Sequence, residues 1–514
     1  MSVIRPMGIE TEYGVAEPGQ YANVIELSNA VVAGYADAHP HVPWDYAGED
    51  PLADARGYRL SRAAADPSML TDDPDRAAPS GRGLRATRVM DPAQRAGARN
   101  AVLTNGARLY VDHAHPEYSG PEVSDPLAAL IYDRAGDSIV RRSLARLADL
   151  GRSIEVYKNN VDGKGASYGT HENYLIDRHL PFGDIVQHLT TFLVTRPLIC
   201  GAGRVGLGQA SEEPGFQISQ RADYLESEVG LQTTFNRPII NTRDEPHADA
   251  RRWRRLHVIV GDANTFDVST YLKLGVTSLV LWLLERQQLP LDLDALTLSA
   301  PVVDAWGVSR EPFDHPLSVA SGRATALDIQ RLFRDHIGHA LEADGVWDEE
   351  SGRVMDTWSK VLDDLATNPA DCADRVEWVA KRELYGRMIE RGNLSWDHPK
   401  IRAADLQWSN LDPRRSLVAA LDRAGRVRRL VSETDVERAV CEPPATTRAY
   451  LRGEMIRRFP QAVRSASWAS LVVDHPDGSG QMRIHLPDPY GGEKNASRDL
   501  LESGLSAALE ALEG

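Results

Sequence analysis

Arg108, Tyr110 and Asp112 occupy alternate positions in Arg-Leu-Tyr-Val-Asp, with Leu109 and Val111 between them. An extended chain sends alternate side chains to opposite faces, so a guanidinium, a phenol and a carboxylate would stand in a row on one face. A guanidinium suits bidentate recognition of phosphate. A carboxylate is a hard oxygen donor for Mg2+. His115-Pro116-Glu117 adds a second carboxylate, expected just past the end of that strand. Such a face reads as the wall of a site for a metal-bound anion. The plainer alternative is a solvated sheet face, which alternates in the same way.

Three other segments offer compatible groups. Met-Gly-Ile-Glu-Thr-Glu-Tyr-Gly near the N-terminus places Glu10 and Glu12 on one strand face, either as charges that guard a sheet edge or as donors for Mg2+. In Thr170-His171-Glu172-Asn173-Tyr174, His171 and Asn173 share a face and Glu172 takes the other. The zinc-protease pattern does not apply, because position 175 is Leu where that pattern needs His. Asn241-Thr242-Arg243-Asp244-Glu245-Pro246-His247 supplies Arg243 for phosphate, and a following strand carries His257. Gly201-Ala202-Gly203-Arg204-Val205-Gly206 imitates a dinucleotide fingerprint. Gly208 and Ser211-Glu212-Glu213-Pro214-Gly215 follow it with loop chemistry, so no helix should open there.

These segments need a sheet to hold them. Alternation predicts strands at 7–15, 101–111, 155–157, 167–176, 217–219, 235–241 and 255–260. Helical spacing predicts helices at 125–150 and 181–195, a buried apolar helix over 271–284, and mostly helix from 312 to 391. After a basic run, 431–514 reads as a small C-terminal domain, with a helix at 433–439, strands at 468–474 and 482–487, and a final helix at 496–512. A chain of 514 residues is long enough for more than one domain. Its net charge of −16 argues against general nucleic-acid binding. Arg251-Arg252-Trp253-Arg254-Arg255 and the run 423–429 are its local basic clusters, each readable as a solvated helix face or a groove wall. Cys200, Cys372 and Cys441 have neither metal spacing nor a disulfide framework, which suits a reducing cytoplasm. No signal peptide opens the chain, and 271–284 is too short to span a bilayer.

Taken together, the strands quoted above, Lys158-Asn159-Asn160, Leu198-Ile199-Cys200-Gly201-Ala202-Gly203, Thr447-Arg448-Ala449-Tyr450-Leu451-Arg452-Gly453-Glu454 and Ser467-Trp468 resemble the enzymes that modify proteins with prokaryotic ubiquitin-like protein, Pup. That family has a ligase branch, which attaches Pup to lysines, and a deamidase/depupylase branch. Both are similar to carboxylate–amine ligases of the glutamine synthetase type. Two features resemble the deamidase branch. The spacing from Asp112 to His115-Pro116-Glu117 lacks one residue that the ligase typically has, and a long insertion at about 45–85 separates the first two strands where the ligase is short. The insertion is rich in Ala, Asp, Arg and Pro, which predicts mobility and either a role near the site or a passive loop.

The resemblance implies an α+β fold: residues 1–430 as a glutamine synthetase-like catalytic domain with a curved, mainly antiparallel sheet backed by helices, and 431–514 as the small domain. It implies ATP and Mg2+ as cofactors and Pup and pupylated proteins as partners, with a functional link to the bacterial proteasome pathway. Glu10, Tyr110, Glu117 and His171 would neighbour the metal, Tyr110 through its backbone carbonyl, with His257 added. Glu10, Arg108, Asn173, Arg243 and Trp468 would contact the nucleotide, an indole being suited to stacking on adenine. Asp112 would be catalytic, as nucleophile or as general base on water. The implied reaction is hydrolysis of a side-chain amide: deamidation of Pup's C-terminal glutamine and cleavage of the Pup–lysine isopeptide. The alternatives are a Pup–protein ligase working through a phosphorylated glutamate and a non-catalytic module that only binds ATP and Pup.

Overall fold

Ile9, Leu109, Tyr118, Tyr174 and Leu256 lie on five different strands and are all buried on the same side of one sheet. They anchor a seven-stranded sheet in a computed structural model that describes residues 3–19, 22–66, 69–70, 99–287, 289–320, 322–478 and 480–513. In chain order its strands are β1 (Met7–Glu12), β2 (His41–Pro43), β3 (Asn100–Leu103), β4 (Arg108–Asp112), β5 (His115–Ser119), β6 (Thr170–Asp177) and β7 (Trp253–Val258). They pair in the order β7-β6-β1-β5-β4-β3-β2, every neighbour antiparallel. The α+β class and the antiparallel sheet backed by helices therefore stand as expected.

The expected strand over 101–111 is instead a hairpin of β3 and β4. Asn105-Gly106 breaks it: Gly106 has φ 80°, and Asn105 Oδ1 accepts the Ala107 N–H at 3.1 Å. This dipeptide is a strong hairpin signal because both positions tolerate left-handed backbone. His115-Pro116-Glu117 likewise belongs to a strand of its own, β5, rather than the tail of β4. Residues 181–195 form a helix interrupted by a π-turn at Ile185–Leu189, and the C-terminal helix is two helices, Lys494–Glu502 and Leu505–Glu513. The imitation fingerprint continues into a strand, Arg204–Leu207, and not a helix.

Three helices cover the apolar face: α1 (Val24–Ala36), α2 (Pro126–Asp149) and α3 (Asp267–Glu285). Asp125 caps α2 by accepting the Ala128 N–H, with Pro126 at the first helical position. Gly136 lets α2 approach the sheet: a Cβ there would meet the Tyr118 ring at 2.4 Å. The apolar helix α3 is buried in this core. Ion pairs seal the same layer. Arg196 grips Glu172 at 2.7 and 2.8 Å, and Lys158 Nζ bridges Asp133 and Asp137 at 2.7 and 3.0 Å.

Helix α4 (Glu433–Cys441) packs into this same core through Val436, Ala439 and Val440. A second hydrophobic cluster begins at Tyr450 and joins Leu471, Val473, Ile484 and Leu509 to Val42 and Trp44. Glu122 pins this C-terminal segment to the sheet through Arg448 at 2.7 Å and Arg452 at 3.0 Å. Burial opposes the charge of Glu122, but the two arginines outweigh it and lower its carboxyl from 4.5 to about 2. Ionised Glu122 therefore stabilises the fold fully above pH 4.5, and that contribution fades as pH falls towards 2. Glu122→Gln should cost about 3 kcal/mol at neutral pH, because it strands two buried guanidinium groups. Urea denaturation should show the gap between wild type and variant closing across that acidic window.

Candidate active site

The strand register builds the site row by row on the face opposite the core. Across β3, β4, β5 and β1, Asn100, Tyr110, Glu117 and Glu12 are successive cross-strand partners. The next row holds Arg108, Ser119, Glu10 and His171. Beyond it, Gly8, Asn173 and His257 form a third row on β1, β6 and β7. At the other end the β4–β5 turn places Asp112 opposite His115.

Glu10 is the centre of one cluster. His171 Nδ1 stands 3.3 Å from Glu10 Oε2, His257 Nε2 stands 3.7 Å from the same oxygen, and Asn173 Nδ2 donates to Oε1 at 2.9 Å. Ligating atoms of Glu10, His171 and His257 all lie within 4.8 Å of one another. His257 is buried and neither ring nitrogen has a hydrogen-bond partner among the described residues. Orphaned imidazole nitrogens beside a carboxylate fit a divalent cation. Burial opposes the charge on Glu10, but His171, His257 and Arg255 together hold its carboxyl well below the usual range. Burial, reinforced by Arg255, lowers His257 to about 3.

Glu117 behaves oppositely. It is buried, accepts Tyr110 Oη at 2.6 Å and Ser119 Oγ at 3.0 Å, and its carboxyl is pushed well above the usual range by burial and by Asp112, Glu10 and Glu12. Like carboxylates this close cannot all ionise without a compensating cation. The Tyr110 hydroxyl is thus engaged with Glu117.

Asp112 lies at the open end of the face, with 27% of its side chain exposed. Burial works against its charge, yet His113, Arg108 and His171 keep its carboxyl below the usual value. His113 Nδ1 is 3.1 Å from Asp112 Oδ2. An ionised, accessible carboxylate at neutral pH can attack a carbonyl or take a proton from water.

Arg108 is held between two rings. Its guanidinium lies 4.1 Å from the Trp44 ring centroid and 3.8 Å from that of Tyr110. Its Nε donates to Asn100 Oδ1 at 2.9 Å, and Asn100 Nδ2 donates to Tyr46 Oη at 2.8 Å. Trp44 also meets Trp468 edge-on at 5.2 Å, so the indole from the C-terminal segment joins the array. Trp468, Glu10, Asn173, Gly8, His247 and Arg255 line an open groove. Arg243 is buried with Nε and Nη2 lacking partners among the described residues.

Every site residue expected from the sequence thus lies on or beside this face. Sequence reasoning missed Trp44 and Asn100 as supports of Arg108, His113, and Arg255 and His247 in the groove. Arg255 was legible in principle, since it is two residues before His257 and so shares its face. The support from Asn100 depends on the β3–β4 hairpin.

The first part of the insertion is docked rather than loose. Ala55 N–H donates to Thr242 O at 2.8 Å, Asp244 N–H to Ala53 O at 3.0 Å and Asp45 N–H to Ala466 O at 2.8 Å. Leu52, Met69 and Leu231 form a small buried cluster beside them. The expectation of mobility across 45–85 fails for 45–66 because this segment bonds directly to the strand end carrying Arg243. Residues 67–68 and 71–98 lie outside the described residues.

A family model described as Pup-ligase protein matches residues 5–472. The chain belongs to that family. It is 44% identical to the Pup deamidase/depupylase of Mycobacterium tuberculosis (strain ATCC 25618 / H37Rv), covering 99% of this chain and 98% of that one. It is 38% identical to a Pup–protein ligase of Kineococcus radiotolerans, over 79% of this chain and 90% of the ligase. Among solved structures, Pup's ligase PafA in complex with Pup aligns with TM-score 0.76 at 30% identity, covering 98% of this chain and 92% of that one. PafA in complex with ADP aligns with TM-score 0.70 at 32% identity, covering 86% of this chain and 99% of the other.

The electrostatics of the groove are directly measurable. His257 should stay neutral at pH 5 in the folded protein, read from its ring nitrogen shifts by NMR. Between pH 6.5 and 3 the unfolded chain takes up a proton that folded His257 refuses, so this residue makes stability fall as pH falls through that window.

Proposed function

We propose that this protein is an amidohydrolase of the Pup pathway, converting Pup's C-terminal glutamine to glutamate and cleaving the isopeptide between Pup and a substrate lysine. The observation that carries the reading is Asp112: an ionised, partly exposed carboxylate at the end of a face lined with phosphate- and metal-binding groups. Sequence similarity to the deamidase/depupylases at 44% identity over 99% of this chain, against 38% over 79% for a ligase, supports the hydrolytic branch. The PafA complexes with ADP and with Pup support a nucleotide and Pup as the bound partners.

In this reading ATP lies in the groove as a cofactor. Trp468 would stack on the adenine, and Arg108, Asn173 and Arg243 would contact the nucleotide, with Arg108 held between Trp44 and Tyr110. Glu10, His171 and His257 would hold Mg2+, with Glu117 and Tyr110 beside them. The cation supplies charge neutralisation for the phosphates and for the crowded carboxylates.

Asp112 acts on the side-chain amide carbonyl of Pup's terminal residue, either by direct attack or by taking a proton from water. Both substrates present the same kind of bond, so one site serves both. Amide hydrolysis runs downhill and needs no phosphoryl transfer, which fits ATP as cofactor rather than as consumed substrate. The separate cluster from Tyr450 onward supports a small C-terminal domain that delivers Trp468 to the nucleotide. The three free cysteines suit a cytoplasmic setting.

Purified protein with ATP and Mg2+ should release ammonia from Pup ending in glutamine and free the lysine of a Pup conjugate. Formation of conjugates instead would identify a ligase, and binding without turnover a tethering module. Asp112→Asn should reduce both hydrolytic reactions by about 100-fold or more while leaving ATP affinity near normal. Retention of about a tenth of the wild-type rate would remove Asp112 from the mechanism. Glu10→Ala should weaken ATP binding only when Mg2+ is present. Equal affinity in the two proteins, with and without the ion, would reduce Glu10 to a charge on the sheet.

A further inference from the structure

The β4–β5 hairpin turns in two residues. Its register pairs Asp112 with His115, leaving His113 and Ala114 at the tip. His113 takes φ 51°, the left-handed region, where a residue with a Cβ pays about 1 kcal/mol and where Gly or Asn would sit more easily. Few residue types with a side chain occupy this region, histidine among them. What the position offers is a place in the site: His113 Nδ1 is 3.1 Å from Asp112 Oδ2, and a ring nitrogen of His113 and carboxylate oxygens of Glu12 and Asp112 lie within 4.8 Å of one another. The His113 side chain is 40% exposed, at the end of the face away from Trp468 and Arg108. Glu12 is fixed from the other side, accepting the Gly169 N–H.

Where Asp112 attacks directly, the proposed hydrolysis poses a demand that it does not meet alone. The leaving group is an amine, and an alkyl amine or ammonia departs from a tetrahedral carbon only with a proton on nitrogen. Arg108 cannot give up a proton at neutral pH. Tyr110 Oη is committed to Glu117. His115 is half-buried and stacked on Tyr168 at 4.4 Å between centroids. Glu117 is buried between the Tyr110 and Ser119 hydroxyls, whereas the His113 imidazole touches Asp112 at the exposed hairpin tip.

We propose that His113 is a catalytic residue, the proton donor to the leaving amine, an inference that rests on the amidohydrolase reading of the site. Attack on the amide carbon forms a C–O bond and moves the carbonyl pair onto oxygen. As the tetrahedral carbon collapses, the C–N bond breaks and its electron pair takes the proton of the His113 imidazolium, so ammonia or the lysine amine leaves neutral. If Asp112 was the attacking group, water then adds to the acyl carbon, gives its proton to the neutral His113 imidazole, and Asp112 departs as carboxylate. If Asp112 instead took the proton of the attacking water, that proton passes across the 3.1 Å contact to His113 and resets both groups. The sum in each case is amide plus water to carboxylic acid plus amine.

The test compares leaving groups. Two substrates carry the same Pup glutamate, one as the lysine isopeptide and one as a nitrophenyl ester, whose phenolate leaves without a proton. His113→Asn and His113→Gly both accept the left-handed backbone, and unchanged ATP affinity reports that the site is intact. On the isopeptide, kcat should fall by about 100-fold in each variant, and on the ester by less than about three-fold. Added imidazole should restore isopeptide cleavage to His113→Gly and have little effect on wild type. Equal losses on both substrates, no loss on either, or no rescue by imidazole would overturn the role of His113. A wild-type protein that cleaves neither substrate would instead overturn the amidohydrolase reading itself.

Discussion

Four carboxylates, Glu10, Glu12, Asp112 and Glu117, share one face of three adjacent strands, and nearly everything around them manages that repulsion. In a low-dielectric setting, like charges at cross-strand distance cannot all persist without neutralisation. Each carboxylate has a different remedy. Glu10 is held ionised by two imidazoles and by Arg255. Glu12 takes a backbone N–H from Gly169. Glu117 is raised and braced by two hydroxyl groups. Asp112 is kept charged by His113 and Arg108 at the one end where solvent reaches it. The face is thus graded, from a site suited to a cation at Glu10 to an accessible reactive carboxylate at Asp112.

Such crowding is tolerable only on a rigid scaffold, and the rear of the sheet supplies one. The residues between the carboxylates point the other way: Ile9 into the apolar core, and Thr11 and Tyr13 to Asp133 and Asp137, which share Lys158. Glu172, between His171 and Asn173, is clamped by Arg196. Charges on the back face are therefore paired, while on the front side His257 and Arg243 keep buried nitrogens with no partner among the described residues. Unpaired groups in a well-satisfied interior are the physical signature of a binding site.

The nucleotide end depends on pieces from distant parts of the chain. Trp44 precedes the insertion, Arg108 stands on β4, and Trp468 comes from the C-terminal segment, yet the three form one stacked array. Glu122 ties that segment to the sheet, and the docked stem of the insertion covers the strand end that carries Arg243. Binding at this end would couple three segments that share few other contacts with the reactive carboxylate.

Alternation alone determined which side chains share a face: Arg108 with Tyr110 and Asp112, Glu10 with Glu12, and His171 with Asn173, because a pleated strand has a period of two whatever its neighbours are. It also separated Glu172 from the site, while the loop residues after Gly206 ruled out the glycine-rich imitation of a dinucleotide loop. Register is different. It is set by contacts between strands far apart in sequence, and no local pattern states that Glu117 lies beside both Glu12 and Tyr110, or Asn173 beside His257. The Asn105-Gly106 turn was written in the sequence but overlooked, and with it the strand that brings Asn100 to Arg108. The left-handed conformation of His113 comes from the two-residue turn that the pairing of Asp112 with His115 closes, which alternation alone does not reveal. Residue chemistry and face were legible locally, whereas distances, the support of Arg108 and the pairing of His113 with Asp112 belong to the assembled sheet.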